Sequence, residues 1–89
     1  MAGCKLVTYD LLKVGQNYDG LIQKIKSFGT VAKVCESAWV IKTNLTSMQV
    51  ASALLGQIDS NDRLFVTSLT VDTAWLNVIC GDKWLKDNL

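Results

Sequence analysis

Asp10 closes a short run, Leu6-Val7-Thr8-Tyr9, whose β-branched and aromatic residues favour an extended strand. A carboxylate at a strand end sits on a rigid mount, where it can bind a hard cation or polarise a water. The chain has no histidine, so any chemistry falls to carboxylates, thiols, hydroxyls or backbone groups. Asp62 and Asn44 are further oxygen donors next to strand-like segments. Two carboxylates with a carbonyl oxygen suit magnesium, and the bound ion would polarise a phosphodiester or activate water. A plainer role fits the same residues. Asp and Asn favour turns because their side chains bond nearby backbone, so Asp59, Asn61 and Asp62 also read as ordinary turn chemistry, and Asp10 as a loop cap.

The other reactive groups offer less. Cys4, Cys35 and Cys80 are far apart and form no CxxC. A zinc site would need carboxylate help, and no histidine is present to activate a cysteine nucleophile. They read as buried or half-buried thiols of a protein in a reducing cytosol. Gly15-Gln16-Asn17 precedes a helix and could present backbone N–H groups to an anion, but it matches neither a P-loop nor a dinucleotide fingerprint. Tyr9 and Trp39 lie on strands. They can stack on bases or a partner, or pack in a core.

Charge narrows the choice. The net charge is +1 and the basic residues are scattered, with Arg63 the sole arginine. A strong grip on duplex DNA or an anionic membrane needs clustered Lys and Arg, and bidentate phosphate recognition needs arginine. No secretion signal is expected at the N-terminus, and no apolar run approaches the ~20 residues of a membrane span.

The elements that must hold these residues follow from pattern. The first strand is expected over residues 4–9. A helix follows from an N-cap at Asn17 to about Phe28, burying Leu21, Ile22, Ile25 and Phe28, with Gly29 as its stop. Two strands, Val31 to Glu36 and Ala38 to Thr43, meet at a hairpin or bulge. Thr46 and Gln49 form a capping-box pattern for a second helix that buries Val50, Ala51, Leu54, Leu55 and Ile58. After a polar turn, Arg63 to Leu69 forms a last strand in which Leu64, Phe65 and Val66 make a buried run. The order β-α-β-β-α-β predicts an α+β, ferredoxin-like sandwich with sheet order 4-1-3-2, spanning residues 1–70.

The remainder, 71–89, is a C-terminal extension rich in apolar residues, among them Trp75, Leu76, Val78, Ile79, Trp84 and Leu85. Such a surface does not stay in water as a tail. It is expected to pack on its own sheet or cross to a partner, with Asp82 capping a short last helix through Asn88. One face of the sheet carries both helices, and the other is expected to be bare. A bare face beside an apolar extension predicts a homodimer, with Trp39, Trp75 and Ile79 at the interface. The first and third strands are expected to run parallel side by side, with the fourth antiparallel beside the first, which would put Asp10, Asn44 and Asp62 on one rim.

Several segments carry a family resemblance. Leu6-Val7-Thr8-Tyr9-Asp10-Leu11 resembles the first strand of the small CRISPR-adaptation subunits, the Cas-two-like family. The match is nearest to its SinR-like subgroup, through Gly15-Gln16-Asn17-Tyr18, Ile58-Asp59-Ser60-Asn61-Asp62-Arg63-Leu64 and Trp84-Leu85-Lys86. The resemblance implies a ferredoxin-like homodimer. In the nuclease relatives, strand-end aspartates of two subunits face each other and hold a metal, and Asp10 matches that position here. Those relatives carry arginines soon after the aspartate, where this chain has Gly15-Gln16-Asn17.

Two functions from different classes are therefore expected, with a third permitted by the fold alone. The first is a non-catalytic homodimeric module binding a protein or nucleic-acid partner without a cofactor. The second is a magnesium-dependent phosphodiesterase using Asp10 from each subunit. A small-ligand regulatory domain is the third.

Overall fold

The computed structural model describes residues 3–11 and 18–89. The Gly15-Gln16-Asn17 loop and the expected cap at Asn17 lie outside the described residues. The described residues form a small α+β domain with a four-stranded antiparallel sheet and three helices: β1 (Gly3–Asp10), α1 (Asp19–Lys26), β2 (Val31–Cys35), β3 (Ala38–Thr43), α2 (Ser47–Leu55), β4 (Arg63–Ser68) and α3 (Asp82–Asn88). The strand order is β2-β3-β1-β4.

Local chemistry explains the boundaries. The α1 helix ends at Lys26, short of the expected Phe28, and the turn that follows closes at Gly29, whose φ of 97° is open to glycine and costly for a β-carbon. Thr46 caps α2 by accepting from Gln49 N at 3.1 Å, and Gln49 Oε1 returns the bond by accepting from Thr46 N at 2.9 Å. The Glu36-Ser37 turn joins β2 to β3, with a register shift between Lys33 and Cys35.

Every strand pair is antiparallel, which corrects the expected parallel pairing of β1 with β3. The hairpin reverses β3 relative to β2, so β3 opposes β1 as well. Cα pairing sets Gly3 against Thr43 and Thr8 against Ala38. Asn44 therefore follows the end of β3 that faces the start of β1, away from Asp10.

Alternate residues face opposite sides of the sheet. Val7, Tyr9, Trp39 and Ile41 face α1 and α2 and pack with Leu21, Ile25, Val50 and Leu54. On the other side, Cys4, Val34 and Val40 pack with Leu85 of α3, flanked by Trp75, Val78 and Trp84. The sheet face expected to be bare is thus covered by the chain's own C-terminal segment. Ile79 N donates to Val34 O at 3.0 Å, fastening that segment to the β2 edge.

Two burial expectations fail for geometric reasons. Phe65 is exposed, whereas Leu64 and Val66 pack on the core. The alternation of an edge strand sends Phe65 to the other face. Leu55 is also exposed. It lies about 100° around the helix from Leu54, so a two-sided apolar sequence turns one leucine outward.

Candidate functional site

The end of β1 is set by its register with β4. Asp10 pairs with Arg63 across the strands, as Tyr9 does with Leu64. That register brings Arg63 Nη1 to 2.9 Å from Asp10 Oδ2. The two side chains are 62% and 68% exposed, so water screens the pair. They border a shallow cleft of about 220 Å³ with Thr8, Tyr9, Leu64 and Phe65.

The floor behind the pair is held by hydrogen bonds. Thr8 Oγ1 and Tyr9 N both donate to Ser37 O at 3.1 Å. Trp39 Nε1 donates to Tyr9 OH at 3.2 Å, and both rings are buried. Trp39 therefore belongs to the core of this chain instead of presenting its ring to a partner. Its burial follows from the alternation of β3, which turns Trp39 and Ile41 toward the helices.

Asp62 has a separate task. Tyr18 OH donates to its Oδ1 at 3.2 Å and its Oδ2 at 3.0 Å. Asp59 N also donates to Oδ2, at 2.9 Å, while Asp62 N donates to Asp59 O at 3.1 Å. The carboxylate closes the 59–62 turn and ties it to the start of α1. Asp10 and Asp62 are thus held by different donors, and Asn44 lies at the opposite end of the sheet.

Among the described residues, no group of three His, Cys, Asp or Glu side chains is placed to hold a metal. Magnesium at Asp10 would compete with a guanidinium already 2.9 Å from the carboxylate. Within one chain, these residues do not fit a magnesium site.

The thiols stand apart from this site. All three are free. Cys4 lies beside a cleft of about 580 Å³ that Lys42, Leu69 and Asn88 also line. Cys4 Sγ donates to Asn88 O at 3.3 Å and Lys42 Nζ donates to Asn88 Oδ1 at 3.4 Å. Burial pushes the Cys4 thiol above its ordinary value, and the positive charges of Lys42 and Lys5 oppose that rise. A thiol held protonated is a poor nucleophile.

A further cleft is apolar. A groove of about 320 Å³ runs between the C-terminal segment and the sheet, lined by Leu6, Val34, Val40, Trp75, Leu76 and Leu85. Trp75 is half-buried and its Nε1 donates to Asp82 Oδ1 at 2.9 Å, while Leu76 and Ile79 are exposed at the surface. The apolar density of 74–79 signalled this feature in the sequence, but the groove itself needs the sheet beneath it. Among the described residues, no helix is long and apolar enough to cross a membrane. No family model, curated protein or solved structure matches this chain.

Proposed function

We propose that this chain is a non-catalytic homodimeric binding module of ferredoxin-like fold, akin to the SinR-like branch of the small CRISPR-adaptation family and working in a reducing cytosol. The Asp10–Arg63 pair carries the non-catalytic part of this reading: the carboxylate at the end of β1 is already matched by the chain's one arginine. The strand order, β4-β1-β3-β2 when taken from the other edge, supports the fold assignment. The apolar groove beside exposed Leu76 and Ile79 favours a protein partner over a nucleic acid, because dispersed lysines neutralise few phosphates.

The test is a cleavage assay on single- and double-stranded RNA and DNA with magnesium or manganese. Wild type and Asp10→Asn are expected to give the same background. Robust wild-type cleavage that disappears in Asp10→Asn would overturn this reading. It would establish instead a phosphodiesterase in which Asp10 of each subunit holds the metal. That second reading draws support from the exposure of the Asp10 carboxylate at a strand end, and it requires Arg63 to release it.

A further inference from the structure

The cleft beside Cys4, of about 580 Å³, opens at the end of the sheet opposite Asp10. Strand register makes its floor. Cys4 of β1 pairs with Lys42 of β3, so the two side chains share the sheet face that α3 covers. Leu69 N donates to Cys4 O at 2.9 Å and fixes one wall. Asn88, at the end of α3, fixes the other. Its backbone O accepts from Cys4 Sγ at 3.3 Å, and its Nδ2 donates to Trp84 O at 2.8 Å. Leu69, Val71 and Leu89 supply apolar surface, and Thr70 supplies a hydroxyl. The volume falls within the roughly 300–1,000 Å³ of small-molecule sites, which are mostly apolar with a few convergent polar groups.

The charge in this cleft is unbalanced. Lys42 is the one charged side chain in its lining, and it is half-buried. Among the described residues it forms no ion pair. The hydrogen bond it donates to Asn88 Oδ1 is long, at 3.4 Å, and reaches a neutral group, whereas an ammonium carries three donors. Burial holds the Cys4 thiol in its protonated form, so it brings no compensating negative charge. Thr70 Oγ1 accepts from Asp72 N at 3.2 Å, which leaves its own O–H to donate. A partly desolvated cation is stabilised by an anion brought beside it. The rest of the cleft selects among anions. Lysine is a point charge without the forked donors that match phosphate, and no second cation lines the cleft. Apolar walls suit a hydrocarbon body better than a small hydrated ion.

We propose that this cleft binds a small organic monocarboxylate, with the carboxylate on Lys42 Nζ and the Thr70 hydroxyl and the hydrocarbon chain against Leu69, Val71 and Leu89. The site is separate from the groove lined by Trp75 and Leu76, and it depends neither on dimerisation nor on the protein partner proposed above.

Octanoate is the probe, titrated into the ¹⁵N-labelled full chain. Saturable shifts are expected at the amides of Cys4, Leu69, Thr70 and Asn88. 1-Octanol has the same chain and no charge, and should bind at least about tenfold more weakly, in keeping with a hydrogen bond to a charged group. Lys42→Met keeps the stem, removes the charge and should weaken octanoate by a similar factor, whereas Lys42→Arg should restore binding. Val71→Asp sets a carboxylate on the wall at a position 86% exposed, so the fold should survive. It should weaken octanoate and leave octanol unchanged, and added salt should reduce the difference. Melting temperatures close to wild type confirm that each variant is folded. Absence of saturable shifts at millimolar octanoate would overturn the site. Equal octanoate binding by wild type, Lys42→Met and Val71→Asp would also overturn it, since that pattern marks adsorption to apolar surface. Displacement of octanoate by inorganic phosphate at equal concentration would overturn the carboxylate assignment.

Discussion

Asp10 and Asp62 are the same side chain in different surroundings, and the surroundings decide what each does. Asp62 is a structural acceptor for Tyr18 and for the backbone of its own turn. Tyr18→Phe should therefore cost about 1–2 kcal/mol in a urea melt, by stripping one donor from a part-buried carboxylate. Asp10→Asn should cost less than about 1 kcal/mol, because an exposed ion pair contributes little. Cys4 yields a pH prediction. Its folded thiol holds a proton more tightly than the unfolded one, so the stability it contributes is intact below the ordinary value of 9.0 and is lost as pH rises through the folded value. Thermal melts across that range should decline above pH 9 in wild type and decline less in Cys4→Ala. The strand-end position of Asp10 is legible in the local run Leu6–Tyr9. Its partner Arg63 is not, because the pairing depends on a β1–β4 register between residues far apart in sequence.

Among the elements, α2 is the one most fully written in sequence. Its capping box is legible as Thr46 with Gln49, and both reciprocal bonds are present. Leu54→Ala should cost about 2–5 kcal/mol, through lost burial and the cavity left behind. Thr46→Ala should cost about 1 kcal/mol, through the lost cap. Denaturant melts of the two variants separate these effects, and equal losses would contradict the assigned buried face. The outward turn of Leu55 is not legible, because α2 is apolar on both sides and periodicity alone does not choose the inner one. Phe65 is similar. A run of three apolar residues suggests burial on both faces of a strand, yet β4 is an edge strand and its outer rows lack cover.

At the scale of the whole molecule, the element order is legible, but the mutual direction of β1 and β3 depends on how the hairpin inserts into the sheet. That single reversal moves Asn44 to the far end from Asp10 and removes the rim on which a cation site would have been built. The C-terminal segment covers the second sheet face from within the same chain, so neither sheet face needs a partner for its core. Net charge of +1 and one arginine leave few phosphate contacts. Affinity for random duplex DNA at physiological salt should accordingly be weak, and a salt slope steeper than about −5 would indicate a basic surface formed only on assembly. The central claim is that the strand tip is a neutral ion pair and not a metal centre. Manganese titration of the ¹⁵N-labelled protein, followed by amide line broadening, tests it most directly. The amides of Asp10 and Arg63 should broaden no more than those near the exposed carboxylates Glu36 and Asp87. Saturable broadening centred on Asp10, abolished by Asp10→Asn, would contradict it.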